Sequence, residues 1–168
     1  MTDETKKISL NQNAENRHLC FTLGEEHFAI PLLQVKEVIA VPEFTPISYT
    51  PGYFCGIMNL RGKVISVIDL RKKLGIKSLK SVEENSVIVC DLQEVVIGVL
   101  VDSVDMVVTI QEGSLLPKPS TETSISMDYI NGFYHQKDDL IIFLNIAKAL
   151  SVEDLVCIHK ASESGGAV

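Results

Sequence analysis

At 168 residues, 46% apolar and 22% charged, the chain holds enough hydrophobic material for one sizeable core or two small ones, at the charge content of an ordinary globular domain. A formal net charge of −7 argues against a nucleic-acid backbone or an anionic membrane surface as partner, since either calls for clustered Lys and Arg. The longest apolar run, interrupted only by glycine, is Val95 to Val101, far short of the roughly 18 to 20 residues that cross a bilayer, so no membrane insertion is expected.

Met1 to Asn16 is polar and lacks a hydrophobic signal core, which predicts a flexible arm on a cytoplasmic protein. His18 to Leu23 and His27 to Leu33 are strand-like runs joined at Gly24-Glu25-Glu26, a hairpin pattern. Val35 to Val41 alternates imperfectly as a third strand, and Pro42 and Pro46 then impose an irregular connection. Thr50-Pro51 has the form of a helix N-cap followed by proline at the first helical position, predicting one turn that Gly56 would stop. From Gly56 to Leu70, two β-branched runs flank Arg61-Gly62; glycine supplies the positive φ of a tight turn, so the stretch reads as a hairpin with Arg61 at its tip. Asp69 can cap a short helix through Leu74 that Gly75 terminates.

Residues 77–85 are polar and form a connection, after which the pattern restarts. Ser86 to Asp91 and Val95 to Val101 make a second hairpin about Leu92-Gln93-Glu94, followed by a strand from Val104 to Ile110 and a proline-containing loop. Gly132 to Tyr134 and Leu140 to Leu144 flank His135 to Asp139 as another hairpin. Ser151 with Asp154 resembles a capping box, with Asp in place of the usual Glu or Gln, and opens a terminal helix over 152–160; residues 161–168 are expected to be a flexible tail.

Laying 132–150 over 56–74 needs no gap and aligns Gly132 with Gly56, Ile141 with Ile65, Lys148 with Lys72 and Leu150 with Leu74. Val104-x-x-Val107 likewise falls on Val35-x-x-Val38. The pattern predicts two copies of one β-rich unit, approximately 17–76 and 86–150, within one domain over 17–160. The expected fold is all-β, with two five-stranded barrels packed side by side, a groove between them and short helical turns.

No metalloprotease, nucleophile-elbow, phosphate-loop or dinucleotide pattern occurs, and His18, His27, His135 and His159 are too dispersed for a metal face. Neither a cofactor, a metal nor a catalytic residue is expected. Asp69 and Asp102 both follow strands and could be imagined as paired carboxylates, although helix capping or turn formation is more economical for each. Cys20, Cys55, Cys90 and Cys157 are scattered among apolar residues, as buried thiols would be.

The runs Phe21 to Ile30, Val35-Lys36-Glu37-Val38, Gly56 to Ile65 with its Asn59-Leu60-Arg61-Gly62 tip, and Val67-Ile68-Asp69-Leu70-Arg71 closely resemble the CheW family of bacterial chemotaxis coupling proteins. Val99 to Val104 and Ile141 to Leu150 continue the resemblance, which covers about residues 18–158; Ser66 departs from it at a position often filled by proline. The resemblance implies two intertwined SH3-like barrels and a noncatalytic adaptor joining chemoreceptor cytoplasmic tips to the regulatory domain of the histidine kinase CheA, recruited to membrane-associated receptor arrays. Carried over by motif, receptor contacts fall at Gly56, Asn59, Leu60, Arg61, Gly62, Val101 and Val104, and kinase contacts at Leu19, Leu32 and Val35, of which Leu32 and Val35 could equally be core. The resemblance further suggests a salt bridge between Glu37 and Arg61 that couples the two regions. The competing reading is a small-ligand-binding β-barrel, with or without enzymatic activity, since apolar ligand binding leaves no short motif. A fusion with a receiver domain finds no room in a chain of this length.

Overall fold

The computed structural model describes residues 14–77, 84–111, 113–117 and 127–165. Among the described residues, runs of Val, Ile and Phe form ten strands, which divide into two five-stranded sheets. They are β1 (Arg17–Leu23), β2 (Glu26–Pro31), β3 (Val35–Ala40), β4 (Phe54–Leu60), β5 (Lys63–Asp69), β6 (Ser86–Asp91), β7 (Val96–Val101), β8 (Ser103–Thr109), β9 (Ile130–Gln136) and β10 (Asp139–Leu144). Among the described residues, α-helices also run over Leu70–Leu74 (α1), Ile146–Ala149 (α2) and Val152–Gly165 (α3).

One sheet has the order β8-β1-β2-β10-β9 and the other β3-β6-β7-β5-β4. Replacing each strand of the second by the one five places along the chain, with β6 and β7 returning to β1 and β2, gives the first. The details repeat as well. Each sheet has one parallel pair, β2 with β10 and β5 with β7. The isolated bridge Thr45–Ile57 has its counterpart in Leu116–Phe133, and the bond from the Asp69 amide to the Tyr53 carbonyl has its counterpart from Asn145 to Tyr129, both at 2.7 Å. Neither sequence unit closes a sheet alone: β1 and β2 join β8, β9 and β10, while β6 and β7 join β3, β4 and β5.

Burial follows this exchange. Phe21, Phe28 and Ile30 from one sheet meet Ile68, Ile88 and Val99 from the other in a central cluster, joined by Ile158 of α3. Cys20, Ala29, Ile141 and Phe143 form a second cluster in the first sheet, and Met58, Ile65, Val67, Val87 and Leu100 a third in the second. The groove expected between the sheets is therefore filled by a shared core. A surface depression of about 340 Å³ instead lies beside the second sheet.

The predicted hairpins form, with boundaries shifted by a residue or two. No helix starts at Pro51. The Phe54 amide donates to the Pro51 carbonyl at 3.0 Å, closing a tight turn, and β4 begins at Phe54, so Gly56 lies within a strand rather than at a helix end. The cap at Asp69 is present: its carboxylate accepts from the amides of Arg71 and Lys72, and Gly75 ends α1 at φ 73°. The terminal helix runs to Gly165, through part of the expected tail, because Ile158 and Ala161 continue its buried stripe. Cys20 and Cys90 are buried as expected, whereas Cys55 and Cys157 are only half-buried; all four are free thiols. Ser66 is buried in β5, its hydroxyl without a partner among the described residues. Residues 1–13, most of the 77–85 connection and the last residues of the tail lie outside the described residues.

Candidate functional site

The β4–β5 turn is built from two consecutive residues at positive φ, Arg61 at 52° and Gly62 at 82°, the geometry that matches the twist of a hairpin. Asn59 closes it from the side, its Oδ1 accepting from the Gly62 amide at 3.0 Å. The turn aims Arg61 across the open end of the second sheet, whose edges are β3 and β4. On β3 the burial alternates, so Val35, Glu37 and Ile39 share the more buried face. A carboxylate on that face needs a partner, and the Arg61 guanidinium supplies it in a two-point contact, Nη1 to Oε1 and Nη2 to Oε2, each at 3.0 Å. Glu37 is 24% exposed at its side chain and Arg61 79%, so the pair presents the arginine outward while tying the tip to the opposite edge. Glu37, Leu60 and Arg61 border the depression, together with Lys36, Val95 and Ile158.

Of the expected receptor positions, Asn59, Arg61 and Gly62 are exposed at this tip and Leu60 is half-buried beside it. Gly56 is buried at φ 130°; a Cβ there would lie 2.4 Å from the Thr45 carbonyl oxygen. Its service is to let the Thr45–Ile57 bridge form, and it offers a partner no surface. Val101 is fully buried and Val104 half-buried, both associated with the central cluster and neither lining the depression. Among the expected kinase positions, Leu19 is buried at 6% exposure, while Leu32, which opens the turn Leu32–Gln34 from β2 to β3, and Val35, which follows it, are half-buried against the central cluster. The residue this turn exposes is Leu33, at 65%. Sequence reasoning passed over Leu33 because an apolar pair followed by glutamine does not show which member faces outward.

Two buried charge clusters were also missed as units. Arg71 donates through Nε and Nη2 to Asp69 at 3.0 Å and through Nη1 to Asp102 at 2.6 Å, and Asp102 accepts from the Gly24 amide at 2.6 Å, linking α1 to the ends of β7 and the β1–β2 turn. Asp69 and Asp102 are thus both gathered by one guanidinium and occupied by turn and cap bonds. Burial opposes the charge on Arg71, but the bonds to Asp69 and Asp102 prevail and raise its pKa. In the second cluster, fully buried Asp154 accepts from Lys73 Nζ at 2.7 Å and from the Tyr53 hydroxyl. Burial disfavours both charges; the bonds among the three outweigh it, holding Asp154 below and Lys73 above their ordinary values, while burial and the Asp154 bond raise Tyr53. Burial likewise pushes the Cys20 and Cys55 thiols to about 11 and Cys90 to about 12, so these are packing groups rather than nucleophiles.

No helix among the described residues is long and apolar enough to cross a membrane. The model of the CheW-like domain matches residues 17–154. The chain is 31% identical over 146 residues to the chemotaxis protein CheW of Klebsiella aerogenes, covering 87% of this chain and 88% of that protein. It is 29% identical over 155 residues to the CheW of Treponema pallidum, covering 89% and 91% respectively. The crystal structure of the scaffolding protein TtCheW from Thermoanaerobacter tengcongensis superposes with a TM-score of 0.76 at 31% identity, over 83% of this chain and 90% of that one. With two SH3-like subdomains of the same strand order and a family match over most of its length, the chain belongs to the CheW family of chemotaxis proteins.

Proposed function

We propose that the protein is a noncatalytic cytoplasmic adaptor that holds a chemoreceptor's cytoplasmic tip and the regulatory domain of the histidine kinase CheA at separate surfaces. The observation that carries the reading is the exposed Asn59-Leu60-Arg61-Gly62 tip, locked to β3 by the two-point Arg61–Glu37 contact, on a scaffold of this family. A shaped tip costs little further ordering when a helical partner binds, and the planar guanidinium gives that contact direction. The Leu32–Gln34 turn, with Leu33 outward and Leu32 and Val35 beneath it, supplies a distinct apolar surface for the kinase domain. Leu19 lies in the central cluster against which Leu32, Val35 and Val104 pack.

Titration calorimetry with a receptor signalling fragment and, separately, with the isolated kinase regulatory domain tests the assignment. Binding of both, with no transfer of phosphate to or from the protein, is expected. Binding of neither, alongside stoichiometric binding of a small apolar ligand in the depression, would replace the adaptor by a ligand-binding barrel.

A further inference from the structure

Helix α3 reaches the region of the tip as well as the core. Ile158 is buried in the central cluster, and Ile158, His159 and Ser162 line the same depression as Glu37, Leu60 and Arg61. The helix is held there by specific polar contacts near its start. Ser151 and Asp154 form a reciprocal cap, the Ser151 amide donating to Asp154 Oδ2 at 2.9 Å and the Asp154 amide to Ser151 Oγ at 3.1 Å. The same carboxylate receives Lys73 from α1 and Tyr53 from the segment before β4, and the Lys73 ammonium sits 4.3 Å from the centre of the Tyr53 ring. A buried carboxylate strongly disfavours any placement of the helix that loses those partners, so the triad fixes where the later turn of α3 lies.

The wall that α3 provides is chemically complementary to one kind of partner. The floor is apolar, with Leu60, Val95 and Ile158 among its residues. At the rim, Lys36 is paired with Asp91 and Arg61 with Glu37, whereas Lys63, His159 and Glu94 have no ion-pair partner among the described residues, so Lys63 is the cation left for a partner's carboxylate. We propose that the Ile158 to Ser162 turn of α3 is part of the receptor-facing surface, completing a seat for an apolar side chain and a neighbouring carboxylate on the helical partner. The Tyr53–Lys73–Asp154 triad is the positioning device that sets that wall. The proposal rests on the reading of the Arg61 tip as the receptor contact.

The full-length protein and its variants are titrated with a receptor signalling fragment and with the kinase regulatory domain. Ser162→Trp, which fills the depression from an exposed position, should weaken receptor binding about tenfold or more, and Lys63→Ala several-fold, with kinase-domain binding within about twofold of wild type. Asp154→Asn should weaken receptor binding and speed hydrogen exchange over residues 155–163 without changing exchange in β4 and β5. Glu153→Gln, at an exposed position outside the depression, should behave as wild type. If Asp154→Asn fails to fold, the two exposed-position variants decide. Receptor binding unchanged in Ser162→Trp and Lys63→Ala, while Arg61→Ala weakens it, overturns the proposal and leaves the tip assignment standing. Unchanged binding by Arg61→Ala, or a wild-type protein that binds no receptor fragment, overturns the tip assignment and the proposal together.

Discussion

Gly56 and Gly62 both adopt positive φ, but for reasons that predict different losses. A Cβ on Gly56 would meet the Thr45 carbonyl oxygen at 2.4 Å and its carbon at 2.8 Å, so Gly56→Ala must break the bridge between the 40s segment and β4. A Cβ on Gly62 meets nothing within 4 Å, leaving backbone strain as the only penalty. Chemical denaturation should show Gly56→Ala losing more than about 2 kcal/mol and Gly62→Val on the order of 1 kcal/mol, with Lys137→Ala at the other tip milder than either. Equal losses for the two glycines would contradict this account. The turn at Gly62 was legible because its cause is local: Arg-Gly between β-branched runs. The requirement at Gly56 comes from Thr45, a contact distant along the chain, and after Pro51 the glycine reads as a helix terminator instead. At the same scale, the Arg61–Glu37 pair is exposed at the arginine and contributes only about 0 to 1 kcal/mol to folding. Arg61→Ala and Glu37→Ala should therefore melt close to wild type yet weaken receptor binding non-additively in a double-mutant cycle, with Arg61→Lys rescuing only in part because it lacks the fork. Strictly additive binding losses would reject the coupled pair.

Among the elements, the strands and the caps of α1 and α3 were readable from periodicity and from Asp69, Gly75, Ser151 and Asp154. Which hairpins the intertwined units exchange was not. A repeat in sequence shows that two units are alike, while which unit's strands complete which sheet depends on pairing between residues as far apart as β1 and β8, where Leu19 faces Val107. The buried triads were hidden for a related reason: Tyr53, Lys73 and Asp154 come from three separated segments, and only the local half of Asp154's role, the bond to Ser151, leaves a sequence pattern. The triad has a pH signature. Because the folded-state pKa of Asp154 lies below its unfolded value, its contribution is complete above the unfolded value and disappears as pH falls through the folded one. Thermal melts of wild type and Asp154→Asn should thus converge on acidification below the ordinary aspartate range, with the wild type more stable near neutrality. A constant difference across that range would show that the carboxylate's charge does not hold α3.

For the molecule as a whole, two sheets of one topology carry unequal tips. The residues corresponding to Arg61 and Glu37 in the other sheet are Lys137, also at positive φ, and Met106, which is 51% exposed. A lysine and a methionine cannot form the two-point lock, so of the two corresponding tips the Arg61 tip alone is held in this way, and the Leu32–Gln34 turn is the second, separate surface of the proposed adaptor. In the proposed adaptor these two surfaces are occupied at once. The most direct measurement is analytical ultracentrifugation of the protein mixed with the receptor fragment and the kinase regulatory domain, for wild type, Arg61→Ala and Leu33→Asp. A three-component complex is expected for wild type, loss of only the receptor fragment with Arg61→Ala and loss of only the kinase domain with Leu33→Asp. Mutual exclusion of the two partners, or one variant losing both while remaining folded, would contradict it.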